Sequence, residues 1–269
     1  MIERIFPATP DASGPASDQD LLRWYGSGLP EDPAAPWVSF NFVASIDGAA
    51  TLNGRSGGLG NAQDQRVFQL LRRHADVIVV GAATIRAEGY GGALLSEEAQ
   101  RWRTSRGLAG HPPLAIVSGT LNLNPAHEVF ARAPVRPLIF TVASAPAERR
   151  EALSGVADVV LVGGESLDVG LLVGELASRG LFRIHSEGGP TLLGTFQAAD
   201  RVDELCLTIS PLLAGGSGPR ISTVAGPGTA GSGTGQAAHT MALAQILKAD
   251  SMLFLRYLRP GSQIPEAAR

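Results

Sequence analysis

The sequence predicts an α/β protein: a mostly parallel sheet flanked by helices, with an antiparallel hairpin at its C-terminal edge. Three observations point there. Short runs that are apolar on both faces recur at Asp76-Val-Ile-Val-Val-Gly81, Leu114–Val117, Pro137–Thr141, Asp158–Val162 and Phe182–His185. Strands without a polar face belong to a sheet covered on both sides. Stretches of helical spacing, Ala147–Leu153 and Val169–Ser178, lie between the later runs and make βα units. The end of the chain, Gln236–Lys248 and Ser251–Leu258, reads as two adjacent strands.

Residues 1–36 are rich in Pro, Asp, Ser and Gly, with one short apolar piece at Leu21–Tyr25. They are expected to form an arm over the surface of a single domain spanning 37–260, with a short tail at 261–269. Trp37–Val43 alternates as a strand should, and Asp47-Gly48 ends it with turn chemistry. Ala49–Leu52 followed by Asn53-Gly54 predicts a hairpin. In Asp64–Arg73 the apolar residues Val67, Leu70 and Leu71 are spaced for a helix. Asp203–Ile209 reads as a further strand, and 211–235 as a glycine-rich loop.

The segment His185-Ser-Glu-Gly-Gly-Pro-Thr-Leu-Leu-Gly-Thr-Phe-Gln197 leaves a strand through a carboxylate, two glycines and a proline. Ser186 or Gly188 is the expected cap of the helix that follows, and Pro190 suits its first turn. A helix start with free N–H groups attracts anions, and glycines would let a phosphate approach; the same residues also satisfy a plain tight turn.

Composition excludes several classes. A net charge of −3, with Lys248 the only lysine, provides no field for nucleic acid. One cysteine, Cys206, rules out an internal disulfide and any cysteine-cluster metal site, and its apolar surroundings predict a buried, inert thiol. The five histidines form no H-x-x-x-H pair, so no metal is expected. His185 ends a strand, where either a structural or a titrating imidazole fits. No signal peptide or membrane span is visible, which predicts a cytoplasmic protein. Gly226-Pro-Gly-Thr-Ala-Gly231 matches G-x-G-x-x-G but lacks the preceding strand and following helix of a dinucleotide fingerprint.

Ligands of open α/β sheets bind beyond the carboxyl ends of the strands. There the sequence puts Ala44-Ser-Ile-Asp-Gly48, Gly81-Ala-Ala-Thr84, Ser118-Gly-Thr120, Gly163-Gly-Glu165 and Ser186–Thr195. Thr84 and Gly189 also open apparent helices, two entrances between which the phosphates of an extended cofactor could be divided. Glu187 is either a cleft carboxylate or a solvated turn residue, and Asp47 before Gly48 carries the same ambiguity. Arg72 and Arg73 end a helix, where cations suit the dipole.

Taken together, Ala44-Ser-Ile-Asp-Gly48, Ser56, Leu70-Leu-Arg72, Val77–Thr84, Glu187-Gly-Gly-Pro-Thr-Leu-Leu-Gly194 and Val202-Asp-Glu-Leu205 resemble, in order and spacing, the reductase domain of bacterial riboflavin-biosynthesis proteins. Stand-alone actinobacterial pyrimidine-reductase-like proteins resemble the chain most. The resemblance implies a dihydrofolate-reductase-like fold, NADPH as cofactor, a homodimer, and reduction of 5-amino-6-(5-phosphoribosylamino)uracil by hydride transfer to C1′ of the sugar. It assigns cofactor contacts to Ala44, Thr84, Ser118, Gly188, Gly189, Pro190, Thr191, Leu192, Leu193, Gly194 and Thr195, and substrate contacts to Ser56, Arg72 and Glu187. Asp47, Glu187 or water would pass the proton to the sugar oxygen, with Asp47 preferred.

The departures from the family pattern are specific. The zinc-deaminase signature is absent. Where the family shows Asp-Asp-Pro, this chain reads Ala87-Glu-Gly-Tyr-Gly91, and the arginine shortly beyond has no clear counterpart. Two other readings therefore stand beside the first: reduction of dihydrofolate, a pterin, on the same fold, and NADPH binding without catalysis. The strand Asp203–Ile209 and the C-terminal hairpin are the sheet edges expected to make the dimer contact.

Overall fold

The computed structural model describes residues 1–7, 14–30, 32, 34–223 and 238–262. Ten strands form one sheet: β1 (Ile2–Phe6), β2 (Trp37–Ser45), β3 (Val77–Gly81), β4 (Leu114–Val117), β5 (Leu138–Thr141), β6 (Asp158–Leu161), β7 (Arg183–Ser186), β8 (Glu204–Ser210), β9 (Ala242–Ala249) and β10 (Met252–Leu258). Their order across the sheet is β1-β9-β10-β8-β2-β7-β3-β4-β5-β6. From β8 to β6 every pairing is parallel, whereas β10 runs antiparallel to both β8 and β9, and β1 antiparallel to β9.

The apolar runs become central strands because both faces are covered. In β3, Val77 and Val79 enter one core while Ile78 and Val80 enter the other. The first core is closed by helices α7 (Val169–Ser178) and α8 (Pro190–Ala198), through Leu172, Leu176, Leu193 and Phe196. Helices α3 (Ala82–Glu88), α5 (Glu128–Ala131) and α6 (Ala147–Ser154) close the second, through Ile85, Val129, Phe130 and Leu153.

A third core lies under the antiparallel end and overturns one expectation. The described elements of residues 1–36 do not lie over the surface. Ile2–Phe6 pairs with β9, and the helix α1 (Asp18–Gly26) buries Leu21, Leu22 and Tyr25 against α2 (Ala62–Leu71) and strands β8 to β10. Ser17 caps α1 in a reciprocal capping box with Asp20. Because β1 covers β9, and β8 is flanked by β2 and β10, neither Asp203–Ile209 nor the C-terminal hairpin is a free edge; among the described residues the outer strands of the sheet are β1 and β6.

Three smaller differences have local causes. The hairpin expected at Ala49–Gly54 shrinks to a Leu52–Arg55 bridge, because Ala49 and Ala50 bond instead to Ser45 and Pro219. A helix α4 (Glu97–Thr104) carries no apolar stripe; its buried face includes Arg103, which donates to the carbonyls of Arg73, Ala75 and Ala109. The cap of α8 is Gly189 rather than Ser186 or Gly188, since Ser186 is still in β7 and its hydroxyl accepts from the Gly188 N–H. The Gly226–Gly231 match and residues 224–235 of the expected loop lie outside the described residues. Among the described residues no helix is long and apolar enough to cross a membrane, and no group of three or more potential metal ligands occurs.

Leu21 is fully buried. Leu21→Ala is expected to lower stability by about 2–5 kcal/mol, as core truncations do. Urea denaturation checks this, and a loss below about 0.5 kcal/mol, the range of surface substitutions, would contradict a structural role for the N-terminal segment.

Candidate functional site

A cleft of about 2070 Å³ runs along the carboxyl ends of the parallel strands. It is lined after β2 by Ser56 and α2, after β7 by Glu187 to Thr195, after β3 by Gly81 to Gly91, after β4 by Ser118 to Thr120, and beyond β6 by Glu165 to Gly170. Drug-sized ligands occupy roughly 300–1,000 Å³. This cleft has room for an extended cofactor and a second molecule together.

Glu187 sits at its centre, one residue past β7. Its backbone N–H still bonds Val79, so the strand geometry fixes where the side chain leaves. Arg72, just after α2, grips the carboxylate with two donors: Nε to Oε1 at 2.5 Å and Nη2 to Oε2 at 2.8 Å. The Tyr90 hydroxyl donates to Oε2 at 2.6 Å, and Arg72 Nη1 donates to the Leu94 carbonyl. The Arg72 guanidinium also lies 4.4 Å from the centre of the Phe68 ring. Burial alone would raise the Glu187 pKa, but the Arg72 charge and its hydrogen bonds outweigh burial and hold it below the usual carboxylate range. Burial and the neighbouring Glu187 push the Tyr90 hydroxyl well above its ordinary value, so it stays a donor.

The segment that departs from the family pattern thus closes on the predicted substrate residues. Tyr90 covers Glu187, and Glu88 Oε1 accepts from both the N–H and the hydroxyl of Ser56. The Glu187 side chain has no exposed surface. Ser56, Arg72 and Glu187 are brought together on one wall, yet each already has a protein partner.

The helix entrances are also brought together. Gly189 caps α8 with φ +74° and ψ 138°, a conformation close to one reserved for glycine. A Cβ at Gly189 would stand 3.2 Å from the Thr84 hydroxyl, so the starts of α3 and α8 face one another across this residue. Gly188 has φ +85°, and a side chain there would strike the Phe42 ring at 2.6 Å. Thr84, Ser118, Gly189, Pro190, Thr191, Leu192, Gly194 and Thr195 all line the cleft. Some have structural work as well: the Ser118 hydroxyl accepts from Leu121, and Thr195 donates to the Thr191 carbonyl. A Cβ on Gly194 would meet the Thr223 carbonyl at 2.1 Å, so this glycine admits the loop that crosses α8.

Other predicted residues lie elsewhere. Ala44 and Leu193 are buried in strand and helix interiors, and neither they nor Gly188 line the cleft. Asp47 is exposed and outside the cleft lining. Its carboxylate accepts from Ser45 Oγ and from the N–H groups of Ala214 and Gly215, which hold its pKa at about 2. An acid ionised so firmly has no proton to give near neutrality; its geometry is that of a loop clasp. His185 is buried and shares a hydrogen bond with Ser39, and burial lowers its pKa. Sequence reasoning missed Glu88, Tyr90 and the α2 residues Asp64 and Phe68. The i, i+4, i+8 spacing of Asp64, Phe68 and Arg72, one helical stripe, was the available signal.

A mostly parallel sheet covered by helices on both faces, with an antiparallel end and a large cleft at the carboxyl ends of its parallel strands, defines an α/β domain. Residues 36–245 match the family described as the RibD C-terminal domain, and the chain belongs to that family. Its relatives include a 2,5-diamino-6-ribosylamino-4(3H)-pyrimidinone 5′-phosphate reductase of Methanothermobacter thermautotrophicus, 29% identical over 185 residues, covering 69% of this chain and 82% of that protein. The riboflavin biosynthesis protein RibD of Escherichia coli is 28% identical over 198 residues, covering 71% of this chain and 52% of its own length. Among solved structures, a pyrimidine reductase-like protein from Corynebacterium diphtheriae superposes with a TM-score of 0.74 at 28% identity, over 88% of this chain and 97% of that one.

Breaking a buried ion pair by removing one partner costs about 3–5 kcal/mol, and Arg72→Met is expected to fall in that range. Because Arg72 depresses the Glu187 pKa, the pair's contribution is present above the unfolded carboxylate value of about 4.3 and is lost as pH falls through the folded one. The stability gap between wild type and variant should therefore narrow on acidification in a pH series of urea titrations. A gap independent of pH would contradict the pairing.

Proposed function

We propose that this chain is an oxidoreductase of riboflavin biosynthesis that uses NADPH to reduce the ribosyl group of a 5-amino-6-(5-phosphoribosylamino)pyrimidine to ribityl, the ring bearing either oxygen, as in the uracil form, or nitrogen at C2. Family membership and the named activity of the M. thermautotrophicus relative support the reaction class. The observation that carries the cofactor assignment is Gly189. Its backbone is one that only glycine adopts freely, and a side chain there would crowd Thr84 in the gap between two strand-end helices. The first turn of α8, with the hydroxyls of Thr191 and Thr84 beside it, suits linked phosphates.

When bound, reduced nicotinamide supplies a hydride that the sugar C1′ takes up as the C1′–O4′ bond opens. The chain's own work is to hold and orient. Gly189, Pro190, Thr191 and Thr84 would take the pyrophosphate, and Ser118 and the Glu165–Gly170 loop would flank the remainder. The Arg72–Glu187–Tyr90 group forms a fixed polar wall opposite. The proton for O4′ comes from water in the open cleft, since Asp47 and Glu187 are both held ionised. A homodimer and a cytoplasmic setting belong to the same proposal, and sedimentation tests the dimer.

NADPH oxidation is to be followed with the uracil and 2-amino forms of the ribosylamino substrate and with dihydrofolate in parallel. Turnover of a ribosylamino form is the expected result. Consumption with dihydrofolate alone, or saturable NADPH binding without oxidation in any arm, would overturn the reading. Gly189→Val should raise the NADPH Kd at least about tenfold, or ~1.4 kcal/mol, and an unchanged Kd would remove the cofactor from this helix.

A further inference from the structure

Five carboxylates line the cleft among the described residues: Asp64, Glu88, Glu165, Asp168 and Glu187. Four of them are accounted for. Glu187 is enclosed by Arg72 and Tyr90, Glu88 holds Ser56, Asp168 caps α7 through the Leu171 N–H, and Glu165 is exposed to solvent. Asp64 differs from each. It is buried, at 9% exposure, and its one described side-chain donor is the Thr208 hydroxyl of β8. The other buried acids, Glu187 and Glu204, are neutralised by Arg72 and Arg256. Asp64 has no such cation among the described residues, and burial raises its pKa.

The place is built around the carboxylate. A Cβ on Gly60 would lie 2.5 Å from Asp64 Oδ2, so residue 60 leaves room for this oxygen. Asn61 caps α2 and accepts from the Asp64 N–H at 3.0 Å, which fixes the start of the helix. Phe68 lies one turn along the same stripe, and Arg72 two turns along, roughly 12 Å from Asp64 at 1.5 Å per residue. Asn41 and Val43 of β2 line the cleft on the same side of the sheet, Val43 pairing in register with Thr208, the residue that donates to Asp64. An uncompensated carboxylate repels a phosphate, so this end of the cleft suits the heterocycle, with the Phe68 ring beside it on the same stripe and the phosphate elsewhere.

The geometry points to Asp64 as the residue that reads the C2 edge of the pyrimidine, selecting a 2-amino-4-oxo ring over a 2,4-dioxo ring. This rests on the reductase reading above. An ionised carboxylate only accepts hydrogen bonds. A 2-amino-4-oxo ring presents a ring N–H and an exocyclic NH₂ side by side, one donor for each oxygen. A 2,4-dioxo ring presents an N–H beside a carbonyl, and that carbonyl would face a carboxylate oxygen. Charge-assisted paired bonds are the strong ones, and sites built to pair with a donor reject analogues lacking it.

The test compares kcat/KM for the two ring forms at about pH 8, where a carboxyl group of this kind is ionised. Wild type is expected to favour the 2-amino form at least about tenfold. Asp64→Asn offers one donor and one acceptor, and should bring the two within about threefold while the NADPH Kd stays unchanged. Equal kcat/KM values in wild type, or a preference that survives in Asp64→Asn, would overturn the assignment. Should the variant fail to fold, wild type alone decides by calorimetry with the free rings 2,5,6-triaminopyrimidin-4-one and 5,6-diaminouracil: preference for the first supports Asp64, and equal affinity overturns it. Absence of turnover with either phosphate refutes the reductase reading, and the free rings then judge Asp64 independently.

Discussion

The Arg72–Glu187 pair is the contact on which the cleft depends. It joins the end of α2 to the end of β7, two elements 115 residues apart in sequence, through two parallel charge-assisted bonds. A carboxylate buried without that partner would protonate or force its way out. Either change would move the turn that immediately follows, where Gly188 and Gly189 adopt positive φ and launch α8. The position of the helix mouth is therefore set by a side-chain pair one residue upstream of the glycines.

Support for Arg72 extends far from the cleft. α2 presents Asp64, Phe68 and Arg72 to the cleft, and on its other face buries Val67, Leu70 and Leu71 against Ile2, Leu21, Leu22 and Tyr25. The N-terminal segment is thus the brace behind one wall of the site. The antiparallel strands complete this third core with Leu247, Met252 and Phe254. A second buried pair, Glu204 with Arg256, ties β8 to β10 there, and Trp37 Nε1 donates to the free oxygen of Glu204. Mixed topology has a use: the parallel strands end together and open the cleft, while the antiparallel end anchors the helix that walls it.

Much of the sheet was legible because burial on both faces leaves an unmistakable apolar run, as in Val77–Val80 and Leu138–Phe140. The helix at Pro190 was legible from proline and glycine chemistry, although its cap was displaced by one residue. β1 was missed because five residues, Ile2 to Phe6, alternate too briefly to separate a strand from an extended arm, and only β9, some 240 residues later, makes it one. α4 was hidden because an arginine fills its buried face. The site was legible as a set of segments but not as a set of partners. That Tyr90 would donate to Glu187, 97 residues away, or that Asp47 would clasp the loop at Ala214, has no periodic signature.

The proposed function requires a dinucleotide to rest its linked phosphates at the start of α8, with a locked carboxylate one step upstream. A crystal structure of the protein with NADPH tests it most directly. Phosphate oxygens are expected within hydrogen-bonding distance of Thr191 and Thr84, with the Gly189 backbone unchanged and the Arg72–Glu187 pair intact. A cofactor bound away from this helix, or a helix mouth filled by protein in the complex, would contradict it.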